Sequence, residues 1–363
     1  MENQKIRVAI THGDTNGTGY ELILRVFEDP TMLELCTPIV YGSPKVAAYH
    51  AKALGIETQF TIINSPEEAK DGRLNLLNCF DEEVKVDMGQ PTQESAEAAR
   101  KALEQAMADY EKGVYDALVM APTANFDPTA FLQKRLNARQ QPLVVRCSDD
   151  LRVALVTNHV AIKDVPEAIT KQKIVEKAQL LHQSLRRDLT LSSPRIAVLA
   201  LNPHADEDGQ LGEEEQTIIA PAVAELAEQG IQAFGPYPAD EFFGTGQYLR
   251  FDGVLAMYYD QGMTAFKTLV NEGSVDFTAG LPLVVTAPAV DSCFEQAGQT
   301  KVSALPLLHA IYMAIDATRN RRNYDEPLQN PLPKLYHEKR DDSEKVRFRS
   351  SEHEKEKKEP KKE

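Results

Sequence analysis

Short apolar segments alternate with amphipathic segments over most of the chain, and this alternation restricts the fold more than any other feature. The β-favouring runs lie at residues 6–10, 38–41, 117–120, 152–156, 196–201 and 254–257. Strands that alternate with helices are typical of α/β proteins, in which helices pack on a mostly parallel sheet. The sequence therefore predicts an α/β fold with a largely parallel sheet.

Helical periodicity is clearest after Thr92, which can cap a helix whose apolar side chains recur on one face as far as Tyr110. Other helices are predicted at residues 20–27, 166–185, 213–229 and 301–320. Pro221 is expected to kink the helix that contains it. From Asn323 the sequence becomes polar and loses apolar periodicity, which predicts a disordered, charged tail.

Composition argues against several classes of protein. A formal net charge of −15 opposes binding to nucleic acid, and no run of about 18 apolar residues could span a bilayer. The first residues do not form a signal peptide, so we expect a cytoplasmic protein. The four cysteines form no Cys-x-x-Cys pair, which favours free thiols over a zinc site or a disulfide framework.

A turn rich in glycine follows the first predicted strand. Gly13, Gly17 and Gly19 form the pattern Gly-x-x-x-Gly-x-Gly, which matches neither the dinucleotide fingerprint nor the P-loop. Such a turn can present backbone N–H groups to an anion, or it can be a tight connection only. The sequence leaves both interpretations open.

Polar side chains follow three of the predicted strands. His159 and His204 each come directly after an apolar run, and Tyr259, Asp260 and Gln261 come after a third. Open α/β sheets carry functional groups at the carboxyl ends of their strands, so these residues are candidates for a site. The alternatives are ordinary hydrogen-bonded histidines and a turn that Asp260 caps.

Five segments carry a specific resemblance. Residues 200–205, Ala-Leu-Asn-Pro-His-Ala, resemble the Leu-Asn-Pro-His-Ala-Gly segment of the 4-hydroxythreonine-4-phosphate dehydrogenase family. Residues 255–262, Leu-Ala-Met-Tyr-Tyr-Asp-Gln-Gly, resemble its Ala-Met-Tyr-His-Asp-Gln-Gly segment. Residues 13–21, 152–159 and 278–282 are similar to three more of its motifs, and the similarity covers about residues 5–320.

The resemblance implies a two-domain α/β/α fold similar to the isocitrate and isopropylmalate dehydrogenases, without a Rossmann fingerprint. It also implies a homodimer with its active site between the domains and near the subunit interface. The expected domains are residues 1–121 with 282–322, and residues 122–281, followed by the tail at 323–363. Family members use NAD to oxidise 4-phosphohydroxy-threonine, and the β-keto acid then loses carbon dioxide, a step of vitamin B6 biosynthesis.

A divalent metal (zinc, magnesium or cobalt) held by three histidines polarises the hydroxyl in the family. Two of these ligands correspond to His159 and His204, and the third corresponds to Tyr259. A phenol, with an ordinary pKa near 10, is a poorer donor than a neutral imidazole. We therefore expect weaker metal binding, unless the neighbouring Asp260 supplies an oxygen ligand.

The residues that contact substrate in the family differ more. Its His-Lys or Lys-His pair is replaced at residues 123–127, and its Gly-His-Thr-Glu segment is absent between Pro128 and Arg146. Lys267 stands where the family has a substrate-contacting lysine, although a solvated lysine is an equal alternative. A family Asn becomes Asp276 and a family Arg becomes Val285, and both changes disfavour a bound phosphate. The resemblance suggests Lys267 and Asp260 as catalytic residues and Lys267 and Asp276 as substrate contacts.

Three functions remain open from the sequence. The chain is an active NAD-dependent dehydrogenase, a catalytically impaired paralogue with a dimeric binding or regulatory role, or a dehydrogenase with a changed substrate. For the third, Arg135, Arg139 and Arg146 are available as new contacts, although surface or helix charges are the simpler interpretation.

Overall fold

A computed structural model describes residues 5–57, 59–80, 84–124, 126–206, 209–299 and 302–329. The strands are β1 (Ile6–Thr11), β2 (Cys36–Gly42), β3 (Phe60–Ile63), β4 (Leu74–Asn78), β5 (Ala117–Met120), β6 (Leu143–Cys147), β7 (Arg152–Leu155), β8 (Arg195–Leu199), β9 (Gln232–Tyr237), β10 (Gly253–Ala256), β11 (Val275–Ala279) and β12 (Val284–Pro288). The helices are α1 (Gly19–Val26), α2 (Met32–Leu35), α3 (Pro44–Leu54), α4 (Gln93–Tyr110), α5 (Pro128–Arg135), α6 (Val165–Ala168), α7 (Lys171–Arg187), α8 (Ala220–Glu228), α9 (Ala239–Gly244), α10 (Tyr259–Leu269) and α11 (Leu305–Gln329).

The described strands form one 12-stranded sheet in the order β3-β4-β2-β1-β5-β12-β11-β6-β7-β10-β8-β9. Pairing is parallel from β3 to β12 and again from β7 to β9. Between these groups, β11 pairs antiparallel with β12 and β6, and β6 pairs antiparallel with β7. Strand direction is therefore opposite in the two groups, so the carboxyl ends of β1 and β5 and those of β7, β10 and β8 emerge at opposite ends of the sheet.

Each strand predicted from an apolar run is present, with ends within about two residues of those expected. The largely parallel α/β architecture is confirmed. The structure adds β3, β4, β6, β9, β11 and β12, and each antiparallel pair among the described strands includes β6 or β11.

The helix after Thr92 is confirmed as α4, and its capping box is complete. The Thr92 hydroxyl accepts a hydrogen bond from the Ser95 N–H at 3.2 Å, and the Thr92 N–H donates to the Ser95 hydroxyl at 3.3 Å. The predicted helix at 213–229 is instead a π-helical turn at Glu215–Ile219 followed by α8, with Pro221 in the first turn of α8. Proline is tolerated there, because an N–H in the first turn has no partner within the helix and its loss costs little.

The last helix, α11, continues to Gln329, so the predicted start of the tail at Asn323 is too early. Arg321 on α11 is buried, and its Nε lies 2.6 Å from Oδ1 of Asp188. Arg187 forms a second ion pair with Asp325 on α11. These contacts hold a polar segment in helical form, and the rest of the predicted tail, residues 330–363, lies outside the described residues.

The two faces of the sheet are covered differently. On one face a single apolar cluster extends from β1 and β2 across β6 and β11 to β8. On the other face the apolar side chains form two separate clusters, one on β1, β2, β5 and β12 and one on β7, β8 and β10. On β6 and β11, between these two clusters, Val144, Arg146, Asp276 and Thr278 belong to neither cluster, and we call these four residues the central strip.

Residues Met1–Asp325 form one compact unit, and the end of α11 from Glu326 onward belongs to a second. The division of the first unit into domains at residues 121 and 281 stays a prediction.

Cys36, Cys79, Cys147 and Cys293 are free thiols, as expected. Among the described residues, no helix is long and apolar enough to cross a membrane.

Candidate active site

Three neighbouring parallel strands bring the predicted strand-end residues to one end of the sheet. β10 lies between β7 and β8, and its partners are in parallel register. His159 follows β7, His204 follows β8, and Tyr259 begins α10 directly after β10. Both histidines are exposed, and 42% of Tyr259 is exposed. The strand-end residues therefore share one accessible end of the sheet, as the sequence predicts.

The amide of Gln261 joins two of these strand ends. Its Oε1 accepts a hydrogen bond from the Met257 N–H at 2.8 Å, and its Nε2 donates to the Ala200 carbonyl at 2.6 Å. The Thr157 hydroxyl donates to the Met257 carbonyl at 2.7 Å, which joins the third strand end. One of the polar residues after β10, Gln261, thus holds the backbone of two strand ends together.

The carboxylate of Glu215 positions the loop that carries His204. It is 2% exposed, and its Oε1 accepts hydrogen bonds from the N–H groups of Leu201 at 2.7 Å and Asn202 at 2.8 Å. His204 itself has φ 55° and ψ 18°, in the left-handed region that non-glycine residues seldom adopt. A loop that a buried carboxylate holds and that carries a residue in a seldom-adopted conformation is typical of functional sites.

The candidate metal donors at this end of the sheet are two histidines and a phenol. Among the described residues, no group of three or more His, Cys, Asp or Glu side chains is placed to hold a metal ion. The phenol of Tyr259 stands where the resemblance implies a third histidine, and a phenol is a poorer ligand for a divalent metal than a neutral imidazole. The described His, Cys, Asp and Glu side chains therefore form no complete metal site by themselves, and the ligand roles of His159, His204 and Tyr259 stay predictions.

An ion pair occupies the central strip. Arg146 on β6 lies directly opposite Asp276 on β11, and Nε and Nη2 of Arg146 lie 2.8 and 2.7 Å from the two carboxylate oxygens of Asp276. The side chains are only 15% and 22% exposed. A bidentate pair of this kind fixes the plane of the guanidinium.

The electrostatics of Arg146 connect this pair to its surroundings. Burial lowers the pKa of the Arg146 guanidinium, but the hydrogen bonds and charge of Asp276 outweigh burial and raise the pKa above the ordinary value for Arg. Tyr259 and Asp291 add smaller contributions in the same direction. Arg146 is therefore within electrostatic range of the strand-end residue Tyr259.

The sequence interpretation of these residues needs two corrections. Arg146 is not a surface or helix charge, because it lies within β6 and is largely buried. The argument that Asp276 opposes a bound anion is also wrong in its premise, since Arg146 neutralises that carboxylate. The signal for Arg146 was present, as a charged residue within the apolar run Leu-Val-Val-Arg-Cys.

The other predicted substrate residues are less closely placed. Lys267, in the last turn of α10, is exposed, as is Asp260 in its first turn. Val285 is fully buried in the apolar cluster that includes Leu118 and Leu132, so that position is part of the core. The roles of Lys267, Asp260 and Asp276 stay predictions.

The glycine-rich turn after β1 is a tight connection. The N–H groups of Asp14, Gly17 and Thr18 donate to the carbonyls of Pro122, Asp14 and Ser292 at 2.9 to 3.2 Å. These groups are no longer available to an anion, and the buried Asp14 carboxylate would repel one. Of the two interpretations of this turn, the structure favours the connection.

At the turn after β1, some buried polar side-chain atoms have no hydrogen-bond partner among the described residues. His12 is fully buried, and neither ring nitrogen has a hydrogen-bond partner among the described residues. Its ring stacks on Tyr20 with centroids 5.1 Å apart. Burial lowers the pKa of His12 to about 4, with the nearby His50 as a smaller cause, so the imidazole is neutral near pH 7.

The sheet and its strand ends define an α/β enzyme of the isocitrate and isopropylmalate dehydrogenase-like class. A model of the family described as pyridoxal phosphate biosynthetic protein PdxA matches residues 34–314. The chain belongs to this family. The expectation that it is an enzyme is confirmed, because its curated relatives are dehydrogenases.

Two curated relatives illustrate the similarity. A 4-hydroxythreonine-4-phosphate dehydrogenase of Bacteroides thetaiotaomicron is 48% identical over 358 residues, which cover 96% of this chain and 98% of the relative. A protein of the same name from Geobacter metallireducens is 34% identical over 331 residues, with 88% and 97% covered.

A crystal structure of the 4-hydroxythreonine-4-phosphate dehydrogenase from Klebsiella pneumoniae superposes with a TM-score of 0.73 at 26% identity. It covers 88% of this chain and 99% of that one. The expected fold class is therefore confirmed.

Proposed function

We propose that the protein oxidises 4-hydroxythreonine 4-phosphate with NAD as hydride acceptor, in vitamin B6 biosynthesis. The observation that carries the proposal is the central strip, where the interior strands β6 and β11 place the charged, half-buried pair of Arg146 and Asp276 in the middle of the sheet. The chain is also 48% identical to a relative named 4-hydroxythreonine-4-phosphate dehydrogenase. Strands in the middle of such a sheet are normally apolar on both faces, so a charged pair that remains partly exposed is unusual there unless a ligand uses it.

The reaction removes a hydride from the carbon of the secondary alcohol and a proton from its oxygen. When bound, NAD supplies the acceptor for the hydride. The resulting β-keto acid loses carbon dioxide, and the electron pair of the broken bond is then protonated. Asp260 accepts the hydroxyl proton in this proposal, and Lys267 binds a substrate oxygen.

The metal is part of the expectation for the family, but we derive no step through it, because no three described His, Cys, Asp or Glu side chains are placed to hold an ion. His159, His204 and Tyr259 remain the proposed donors, and a homodimer would bring a second set of strand ends to the assembly. Both the dimer and the ligand set are proposals.

The proposal is tested by following NADH formation and carbon dioxide release from 4-hydroxythreonine 4-phosphate, with zinc, magnesium or cobalt added in turn. His204→Ala is the control variant, and its activity should fall at least about a hundredfold. Equal rates for the two proteins would contradict the assigned site. No turnover by either protein under any condition would favour the impaired paralogue.

A further inference from the structure

The central strip lies on the same face of the sheet as α10. Gly262 of α10 packs so closely on Val153 and Leu155 that an added Cβ would lie 2.9 Å from each side chain. Val153 on β7 stands directly opposite Arg146 in the antiparallel pairing, and Asp276 stands opposite Arg146 on its other side. Directly opposite residues project to the same face. The ion pair therefore lies on the face where α10 begins with Tyr259.

The strip separates the two apolar clusters of this face. Along β6, Leu143, Val145 and Cys147 are buried, whereas Val144 and Arg146 between them are half-buried. Such alternation is normal for a strand with one open face, but β6 is an interior strand with neighbours on both sides. The half-buried face of β6 thus lies between the two apolar clusters and carries the Arg146–Asp276 pair.

The pair leaves part of the guanidinium available. An arginine has five N–H donors, and the hydrogen bonds to Asp276 come from Nε and Nη2. Nη1 makes no hydrogen bond to any of the residues that the structure describes. The free edge of the guanidinium is held in a fixed plane by the carboxylate, which reduces the entropy lost when an oxyanion binds.

Stability alone is a poor reason for this pair. Burying two charges costs much of what their attraction returns, and apolar replacements of similar volume are often neutral or stabilising. The two flanking clusters would join into one core if apolar residues stood at these positions.

We propose that Arg146 binds the phosphate of the substrate at the central strip, and that Asp276 is the positioning residue that orients its guanidinium. The inference rests on the proposed function and adds a residue to it. It also explains how a chain with Val285 in its core can still bind an anion: the guanidinium is on β6, two strands away from β12.

The test separates an anion contact from a structural ion pair. Arg146→Gln should raise the KM for 4-hydroxythreonine 4-phosphate at least tenfold and change kcat by less than about threefold, because the contact is made in both ground and transition states. Asp276→Asn should raise KM less, since the guanidinium remains. The exchange variant Arg146→Asp/Asp276→Arg keeps a pair but moves the guanidinium to β11, so it should recover stability to urea without recovering KM.

A matched control exists in Arg187→Gln. Arg187 forms a bidentate pair with Asp325, with side chains 25% and 39% exposed, away from the strip. Its loss should leave KM unchanged. Recovery of KM in the exchange variant, or an equal KM change in Arg187→Gln, would overturn the proposal.

A binding measurement keeps the inference testable apart from turnover. Calorimetric titration with inorganic phosphate should detect binding to the wild-type protein and at least tenfold weaker binding to Arg146→Gln. Turnover by the wild type with unchanged KM in Arg146→Gln would refute the role of Arg146 and leave the proposed function intact. Phosphate binding that depends on Arg146, without turnover, would refute the proposed function only, and absence of phosphate binding to both proteins would refute the role of Arg146.

Discussion

The turn after β1 and the strand ends of β7, β8 and β10 are equivalent parts of one sheet, but they are built in contrasting ways. The turn is buried throughout, and its backbone donates to neighbouring loops. The other strand ends expose His159, His204 and Tyr259, while Gln261 and Glu215 fix the backbone beneath them. Burial therefore separates a strand end that stabilises the fold from strand ends whose side chains can reach a ligand.

Of the substitutions that test this contrast, we expect the one at Gly13 to change stability most. This residue has φ +71°, and an added Cβ would lie 2.3 Å from the Pro122 carbonyl oxygen. Gly55 has almost the same φ, +69°, with no atom within 4 Å of its added Cβ. Gly13→Ala should lower the free energy of unfolding by about 3 kcal/mol or more, and Gly55→Ala by about 1 kcal/mol, in urea denaturation. Equal losses would show that the backbone conformation, and not the close packing of the turn, sets the cost.

The buried turn should also make stability depend on pH. The unfolded chain protonates this imidazole near its ordinary pKa of 6.5, whereas burial lowers the pKa of folded His12 to about 4. The stabilisation is thus present above pH 6.5 and is lost as pH falls towards 4. Between about pH 7.5 and pH 5 the contribution is about 2 kcal/mol.

Urea denaturation of wild type and His12→Leu at both pH values measures this contribution. The variant, which is similar in volume and cannot titrate, should lose about 2 kcal/mol less than the wild type on acidification. Because His50 also has a lowered pKa, caused by burial, only the difference between the two proteins is diagnostic. An identical pH dependence would mean that His12 does not titrate as proposed.

At the exposed strand ends we expect a smaller effect on stability, and only from side chains that hydrogen-bond the backbone there. Gln261→Ala removes the partners of the Met257 N–H and the Ala200 carbonyl. The cost should be about 1 to 2 kcal/mol, because both backbone groups belong to buried residues. Gln232→Ala, which loses one exposed hydrogen bond to Ser193, serves as the control and should cost less than about 0.5 kcal/mol.

The smallest effect on stability is expected at Tyr259, where the effect on binding is instead large. Tyr259→His replaces a phenol with an imidazole on a side chain that is 42% exposed, and unfolding should change by less than about 0.5 kcal/mol. Zinc affinity, measured by competition with a chromophoric chelator, should rise at least about tenfold. Tyr312→His, 39% exposed on α11, should show no such rise. A similar gain in both variants would argue against a metal site at the strand ends.

The fold could be predicted from sequence where apolar runs are continuous. β1, β5, β7, β8 and β10 are such runs, because parallel strands in the middle of a sheet are covered on both faces. β6 and β11 were missed because each carries polar residues on the face of the central strip. The residues that obscured these strands thus belong to the central strip.

The candidate site could be predicted only in part, for a related reason. His159, His204 and Tyr259 were located because each follows an apolar run directly. The pair of Arg146 with Asp276 joins residues 130 positions apart, and it depends on the register of β6 against β11. No local sequence pattern determines that register. The neutralisation of the Asp276 carboxylate by Arg146 could therefore be recognised only in the structure.

The reversal of strand direction at β6 and β11 has a consequence for how this chain can change. The buried turn and the exposed strand ends emerge at opposite ends of the sheet, and free-energy changes at distant sites are usually additive. Substitutions that change ligand binding at the exposed strand ends should therefore leave unchanged the contribution of the turn after β1 to the free energy of unfolding. Such a molecule can diverge in chemistry at one end while selection preserves foldability at the other.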